Sequence, residues 1–188
     1  MKIRTFLSLN LNSSLKEKIS EIQKKLQVYL KEHAIKWENP EKFHLTLRFF
    51  GDIEENSAEQ LKNDLEIRDF DFEALTFHSS GISFFPNPKR PNVVFIELKE
   101  DGNNTNQLLS RIDEVINRYG IKPDKKFVAH ITMGRFRREN RSSIRIENLP
   151  DFEPFEVLFP GFYLMKSVLN TNGAVHSVLK EFKFKKII

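Results

Sequence analysis

The chain contains no cysteine, and this absence removes several chemistries from consideration. Disulfide bonds, zinc sites built on thiolates and cysteine nucleophiles are excluded, and a cysteine-free chain fits a reducing compartment. The sequence also lacks an apolar run of the roughly 20 residues that a membrane-spanning helix needs. The apolar stretch near the start of the chain is too short for a signal peptide and has no small-residue cleavage site. We therefore expect a cytoplasmic protein without a membrane partner.

Common nucleotide-binding and hydrolase signatures are missing as well. The chain has only 7 glycines, and none of them forms a Gly-x-x-x-x-Gly-Lys phosphate loop, a Gly-x-Gly-x-x-Gly turn or a Gly-x-Ser-x-Gly elbow. No His-Glu-x-x-His zinc motif occurs either. These absences disfavour nucleoside triphosphate hydrolysis, serine-hydrolase chemistry and zinc-protease chemistry.

The composition is that of a globular protein with a substantial core. The chain has 188 residues, 39% of them hydrophobic, and includes 18 phenylalanines. This length predicts one domain with two lobes that share a core, spanning residues 1–188. The net charge of +4 attracts an anionic partner mildly, without the excess of a histone-like polycation. Nothing in the sequence indicates an obligate protein partner.

The order of predicted elements is typical of an α+β fold. Apolar alternation predicts strands near residues 3–9, 43–50, 70–85, 93–96, 127–136, 155–169 and 174–184, and helical spacing predicts helices over 13–33, 57–67 and 108–119. We expect Ser13 or Ser14 to cap the first helix, Gly51 to turn the chain after its strand, and residues 170–173 to form a hairpin turn. A motif strand follows a long helix in both halves, which favours a diverged internal duplication.

Two tetrapeptides of one design carry the functional signal. His44-Leu45-Thr46-Leu47 and His130-Ile131-Thr132-Met133 each lie within a predicted strand. Side chains alternate across a strand, so the histidine and threonine of each motif share one face and the apolar pair shares the other. If the two strands are neighbours, two imidazoles and two hydroxyls meet in one cleft.

This combination can move protons around a phosphate. Histidine is available in both protonation states near neutral pH, so one ring can take a proton from water while the other gives one to a leaving oxygen. The Thr46 and Thr132 hydroxyls can donate to the non-bridging phosphate oxygens. A single such motif is more often structural, and a metal site is a further alternative, although no acidic residue lies inside either motif.

Other candidate contacts lie near the motifs. Arg135 would face away from His130 on a regular strand, but Gly134 permits a bulge that turns its guanidinium back toward the phosphate. Phe6 is a candidate for stacking on a base, although a strand phenylalanine is usually core. The loop cations Lys89, Arg90, Lys125 and Lys126 are additional candidates. We expect the three remaining histidines, His33, His78 and His176, to be structural.

The two motifs and their surroundings resemble a known family. The segments 43–51 and 128–135, the Arg4-Thr5-Phe6 strand, the Phe85-Pro86 loop leading to residues 93–95, and residues 164–167 are similar to RNA 2′,3′-cyclic phosphodiesterases. These enzymes form the bacterial and archaeal 2′-5′ RNA ligase branch of the two-histidine phosphoesterase superfamily. The chain departs from the pattern at Met133-Gly134, at Asn92 and at His176, the last replacing a frequent aromatic residue.

The resemblance implies a bilobal, pseudo-symmetric α+β fold. Each lobe would be a mainly antiparallel sheet backed by helices, with one His-x-Thr strand per lobe lining a central cleft. The implied activity is hydrolysis of RNA or nucleoside 2′,3′-cyclic phosphate ends to 2′-phosphomonoesters, with no metal or other cofactor. His44 would be the acid and His130 the base, or the reverse, while Thr46, Thr132 and Arg135 would bind the phosphate. The alternatives are 2′-5′ RNA ligation, 2′-5′ oligonucleotide cleavage and non-catalytic RNA binding.

Overall fold

The computed structural model describes residues 1–68, 70–122, 126–137, 142–171 and 173–185. Within these ranges the chain forms an α+β fold, as expected. The helices are α1 (Ser13–Tyr29), α2 (Glu55–Glu66) and α3 (Asn104–Ile116). The strands are β1 (Lys2–Asn10), β2 (Ile35–Trp37), β3 (His44–Glu54), β4 (Leu75–Phe85), β5 (Val93–Glu100), β6 (His130–Phe136), β7 (Glu156–Phe159), β8 (Gly161–Asn170) and β9 (Gly173–Lys183).

The described strands form one antiparallel sheet in the order β7-β4-β5-β6-β3-β1-β8-β9, and β2 adds to β6. The order has two matching halves that meet at the motif strands β3 and β6. In each half a strand, a helix and then the motif strand follow one another along the chain: β1, α1, β3 in the first and β5, α3, β6 in the second. This repetition agrees with the expected pseudo-symmetry. We infer from the continuous sheet that the chain is a single two-lobed domain.

The junction between the halves is narrow. Strands β3 and β6 share one pair of facing residues, Leu45 and Ile131, and both side chains are fully buried. The helices cover the apolar side of the sheet, where Ile19, Leu26 and Ile112 belong to the same core as these two residues. The apolar residues of the motifs therefore anchor the strands, and the alternation of the strand leaves the histidines and threonines on the opposite face.

Several predicted boundaries are wrong for identifiable reasons. The cap of α1 is Asn12, whose side-chain oxygen accepts a hydrogen bond from the Leu15 amide at 2.9 Å, and the helix ends at Tyr29 rather than near residue 33. Gly51 does not end its strand: it has φ +73° at a bulge, and β3 continues to Glu54. The predicted strand over 155–169 is divided at Pro160 into β7 and β8.

The predicted β8–β9 hairpin is confirmed, because Asn170 pairs with Gly173 at its end. Among the described residues, no helix is long and apolar enough to cross a membrane.

Candidate active site

The two His-x-Thr motifs line one cavity of about 410 Å³. The register that places Leu45 opposite Ile131 also places the histidine and threonine of β3 beside those of β6. The six principal site residues predicted from the sequence all lie on this cavity: Phe6, His44, Thr46, His130, Thr132 and Arg135. The geometric condition for shared chemistry, two imidazoles at one cavity, is therefore met.

The two histidine rings are held in the same way. The Nδ1–H of His44 donates to the carbonyl oxygen of Lys42 at 2.6 Å, and the Nδ1–H of His130 donates to that of Val128 at 2.7 Å. In both cases the acceptor lies two residues before the histidine. A carbonyl can only accept, so Nδ1 carries the proton and Nε2 is the nitrogen left to take or give one. In His44 this Nε2 accepts a hydrogen bond from the Thr46 hydroxyl at 3.0 Å.

Phenylalanines from the neighbouring strands support each ring. Phe6 packs against His44 with 5.1 Å between ring centroids, and Phe95 packs against His130 at 5.2 Å. The expectation that Phe6 offers a stacking surface for a base does not fit this placement. Its side chain is only 3% exposed and its ring is occupied by His44 and His176. Phe6 is instead a supporting residue for the histidine.

Both catalytic candidates are easier to deprotonate than a free histidine. Burial lowers the pKa of His44 to about 4, against a smaller upward effect of its bond to the Lys42 carbonyl. Burial also lowers the pKa of His130, and the positive charge of Arg135 adds to that decrease. Both rings are therefore neutral in the empty site at neutral pH. An anionic phosphate between them would raise the pKa of each, because it stabilises the imidazolium form.

A β-bulge follows each motif at the same position. Opposite β5, residue Thr132 pairs with Phe95 and Gly134 pairs with Val94, so Met133 is skipped. Opposite β1, Thr46 pairs with Ser8 and the next pair joins Leu7 to Arg48, so Leu47 is skipped in the same manner. The extra residue resets the alternation of the strand. The bend predicted at Gly134 is thereby confirmed, and Arg135 lies on the cavity with His130 and Thr132.

The first motif has an aromatic ring where the second has the guanidinium. Counting from each histidine, Phe49 occupies the position of Arg135, and its side chain is 51% exposed on the cavity rim. The preceding residue, Arg48, is turned away into a bidentate ion pair with Asp113 of α3, with both bonds at 2.8 Å. At this matched position the second motif therefore presents a cation to the cavity, and the first motif presents an apolar ring.

A second cavity of about 660 Å³ adjoins the first. The two share Thr46, Phe49, His130, Thr132 and Arg135, so they are parts of one cleft. Apolar side chains, among them Phe85 and Phe127, form much of the second cavity, and Lys122 and Lys126 add positive charge. Of the loop cations singled out in the sequence, Lys126 reaches this cleft, whereas Lys125 lies outside the described residues.

Sequence reasoning missed several polar residues on the smaller cavity, three of which surround the His44 ring. His176, expected to be structural, lines the cavity together with Glu38 and Lys42. None of the three belongs to a recognisable motif, and His176 reaches the cavity through its pairing with Ser167 of β8, which in turn pairs with Arg4 of β1. Within the part of the chain that the structure describes, no three histidine or acidic side chains are grouped so that they could hold a metal ion.

Comparison with known proteins gives consistent matches over almost the whole chain. The family model of LigT-like phosphoesterases matches residues 9–95 and again residues 96–176. The RNA 2′,3′-cyclic phosphodiesterase of Archaeoglobus fulgidus is 31% identical over 182 residues, which are 96% of this chain and 100% of the relative. The protein of the same description from Thermotoga maritima is 30% identical over 97% of this chain and 96% of its own length.

Solved structures show the same fold. Escherichia coli LigT in its apo form superposes with a TM-score of 0.75 at 19% identity, covering 99% of both chains. The same protein in complex with 3′-AMP superposes with a TM-score of 0.73, covering 99% of this chain and 100% of the other. The double family match also agrees with the two halves seen in the sheet.

Proposed function

Because this chain belongs to the LigT-like phosphoesterase family, we propose that it hydrolyses RNA or nucleoside 2′,3′-cyclic phosphate ends to 2′-phosphomonoesters. His44 and His130 act as the acid/base pair. The observation that carries the proposal is the shared cavity, into which both motifs place an imidazole whose Nδ1 is fixed by a backbone carbonyl. Curated relatives named RNA 2′,3′-cyclic phosphodiesterase support the same reaction.

The reaction needs two proton transfers at one phosphorus atom. Water attacks phosphorus and gives a proton to Nε2 of one histidine, while the bond from phosphorus to the 3′-oxygen breaks. Nε2 of the other histidine, protonated at the start, gives its proton to that oxygen. The phosphate remains on the 2′-oxygen, and the two rings have exchanged protonation states. Each transfer contributes about a hundredfold to ten-thousandfold in rate, and neither requires a metal ion.

The remaining polar groups bind the phosphate. The Thr46 and Thr132 hydroxyls follow the histidines on the same strand face, where they can donate to the non-bridging oxygens. The Arg135 guanidinium adds a positive charge that can bind two oxygens at once. We propose RNA ends and nucleoside cyclic phosphates as the partners of this site, and the cytoplasm as its location, a reducing compartment that a chain without cysteine fits.

The test compares His44→Ala and His130→Ala with the wild-type protein on cytidine and adenosine 2′,3′-cyclic phosphates. We expect each substitution to lower kcat by at least about a hundredfold, because each removes one of the two proton transfers. Chromatography that resolves 2′- from 3′-monophosphate should show only the 2′ product from the wild type. EDTA should leave the rate unchanged.

The matched control is His78→Ala. His78 lies on β4, away from the cleft, where its Nε2 contacts the Asp101 carboxylate at 2.6 Å. This variant should keep the wild-type rate. Full turnover by either cleft variant would contradict the proposal. A wild-type protein that binds RNA but opens no cyclic phosphate would favour the non-catalytic alternative.

A further inference from the structure

His176 is a third histidine of the cavity. It lies on β9, opposite Ser167 of β8, and reaches the cavity wall beside His44. The ring centroids of His176 and His44 are 5.7 Å apart with the planes at 75°. Phe6 contacts both rings with centroids at 5.1 Å, edge-on to His176 and tilted against His44. The three rings therefore form one packed cluster at the site.

The three-ring cluster holds His176 in place but does not satisfy the hydrogen-bonding capacity of its ring. Its Nδ1 is buried and, among the described residues, has no hydrogen-bond partner. His44, in contrast, has partners for both ring nitrogens. Position 176 therefore carries a polar ring where an apolar one would pack without an unpaired nitrogen, and packing alone does not explain a histidine there.

The charged groups around the pair come from several elements. Glu38, in the loop after β2, favours the charged form of both rings, whereas Lys42 disfavours it for His176. His130 of β6 disfavours a charge on His44, and Arg135 of the same strand lines the cavity. Arg4 of β1, also on the cavity, is paired with Asp52. Of the described β9 residues that line this cavity, Ala174 and His176, only His176 carries a titratable side chain.

We propose that His176 is a positioning residue that acts through His44. Its ring packs against both Phe6 and His44, and its own positive charge, when present, opposes a second positive charge on His44. The role of His44 in catalysis rests on the proposed function, whereas the coupling between the two rings does not. His176 thus regulates when the His44 ring carries a proton.

The direction of the effect follows from the charges. His176 lowers the pKa of His44, which is already near 4 because of burial. The pKa of His176 is also lowered by burial, and the two rings titrate as a coupled pair, in which a proton on one ring disfavours a proton on the other. A ring without charge at position 176 should therefore raise the pKa of His44. At this separation the expected rise is about half a pH unit to one unit.

The experiment uses two variants that separate charge from shape. His176→Phe keeps an aromatic ring against Phe6 and removes the charge, whereas His176→Lys keeps a charge and removes the ring. The titration of the His44 ring is followed by its NMR signals, and the pH profile of kcat/KM is measured in parallel. The control is His33→Phe, the same chemical change at a ring that packs on Phe136 and contacts Ser142, outside the cleft.

We expect His176→Phe to move the titration of His44, and the limb of the profile that belongs to it, to higher pH. His176→Lys should leave the titration where it is in the wild type, and His33→Phe should leave both readouts unchanged. An unchanged titration in His176→Phe, or an equal shift in His176→Lys, would overturn the proposal.

If His176→Phe does not fold, His176→Gln carries the same expectation, because it also removes the charge. The NMR arm needs no turnover, so it tests the coupling even if cyclic phosphates prove not to be the substrate.

Discussion

Two histidines with one local geometry need not do the same work. Both rings use Nδ1 to hold a carbonyl oxygen, yet their surroundings differ, with the Thr46 hydroxyl and His176 near His44 and the Arg135 charge near His130. In hydrolysis only one of them has to deliver a proton to the leaving oxygen. The requirement for that proton depends on the leaving group, since an oxygen that is stable as an anion needs no acid.

A change of leaving group should therefore distinguish the two histidines. We expect one of His44→Ala and His130→Ala, and not both, to recover most of its lost rate on a p-nitrophenyl phosphodiester of a nucleoside. The recovered variant is the one that lacks the acid, which on the assignment implied by the family resemblance is His44→Ala. Release of p-nitrophenolate is measured by absorbance.

Recovery of both variants, or of neither, would contradict a division into one acid and one base. If His44 is the acid, its low pKa requires that it takes up its proton together with the anionic substrate, so kcat for the cyclic substrate should rise toward acidic pH.

At the residue scale the sequence predicts what is local. The motifs identify His44, Thr46, His130 and Thr132 because strand alternation alone decides that each pair shares a face. The environment of Phe6 and the position of His176 depend on which strands become neighbours. His176 reaches the cavity because its partner in the hairpin, Ser167, pairs with Arg4 of β1, and no feature of the sequence marks β8 as the neighbour of β1.

Among the elements, the bulge in β6 gives the site its guanidinium, because it brings Arg135 to the cavity. The carbonyl oxygen of Met133, freed from the ladder, accepts hydrogen bonds from the Gln23 side chain and the Glu38 amide, each at 2.9 Å. Gly134 makes room for β2 to lie across the bulge: a Cβ there would be 2.7 Å from Ile35 Cγ2 and 3.0 Å from Trp37 Cε3. The bulge is thus held by hydrogen bonds from α1 and from the residue after β2, and the lack of a side chain at Gly134 lets β2 pack against it.

Gly134→Ala should therefore disturb both stability and activity. We expect a loss of about 1–3 kcal/mol in the free energy of unfolding, measured in urea, because the added methyl group overpacks the site. The rate on a 2′,3′-cyclic phosphate should fall as Arg135 moves.

The double variant Ile35→Ala/Gly134→Ala removes the nearest atom and should recover part of both losses relative to the sum of the single variants. If Gly134→Ala has the stability and rate of the wild type, β2 can shift to accommodate the methyl group without moving the bulge, and the prediction is wrong.

The predicted element boundaries are wrong where a residue type is compatible with more than one local structure. Gly51 is predicted as a turn because glycine tolerates positive φ, and it does adopt φ +73°, but within a bulge of a continuing strand. Pro160 divides what apolar alternation reads as one strand. Its two sides then pair at distant places, β7 with β4 and β8 with β1. Residue propensity determines the local conformation, whereas long-range strand pairing determines the place of that segment in the fold.

For the whole molecule, the critical feature is how the two halves are kept in register. Beyond the Leu45–Ile131 pair, the Arg48–Asp113 ion pair ties β3 to α3 of the other half, with side chains 12% and 24% exposed. Two parallel hydrogen bonds in a largely buried setting fix orientation as well as distance. This contact contributes to the spacing of the two cleft histidines, His44 and His130, without touching either.

Asp113→Asn should accordingly lower both the stability of the protein and its kcat. We expect about 1–3 kcal/mol less stability in urea unfolding, because Arg48 keeps its charge in a partly buried place. We also expect kcat to fall more than KM rises, since the reacting geometry loosens.

The neighbouring Glu114→Gln is the control, because Glu114 pairs with Arg68 in a more exposed position and such pairs contribute little. Equal effects of the two substitutions would argue against a link between the halves.

The unlike residues at matching positions give the cleft a direction. Because Phe49 stands on one rim where Arg135 stands on the other, rotating a ligand by half a turn would not reproduce its contacts. A nucleic acid strand is itself polar, with a ribose on one side of the terminal phosphorus and only solvent on the other. We therefore expect the near-symmetric cleft to bind the end of such a strand in one orientation and not in the reverse.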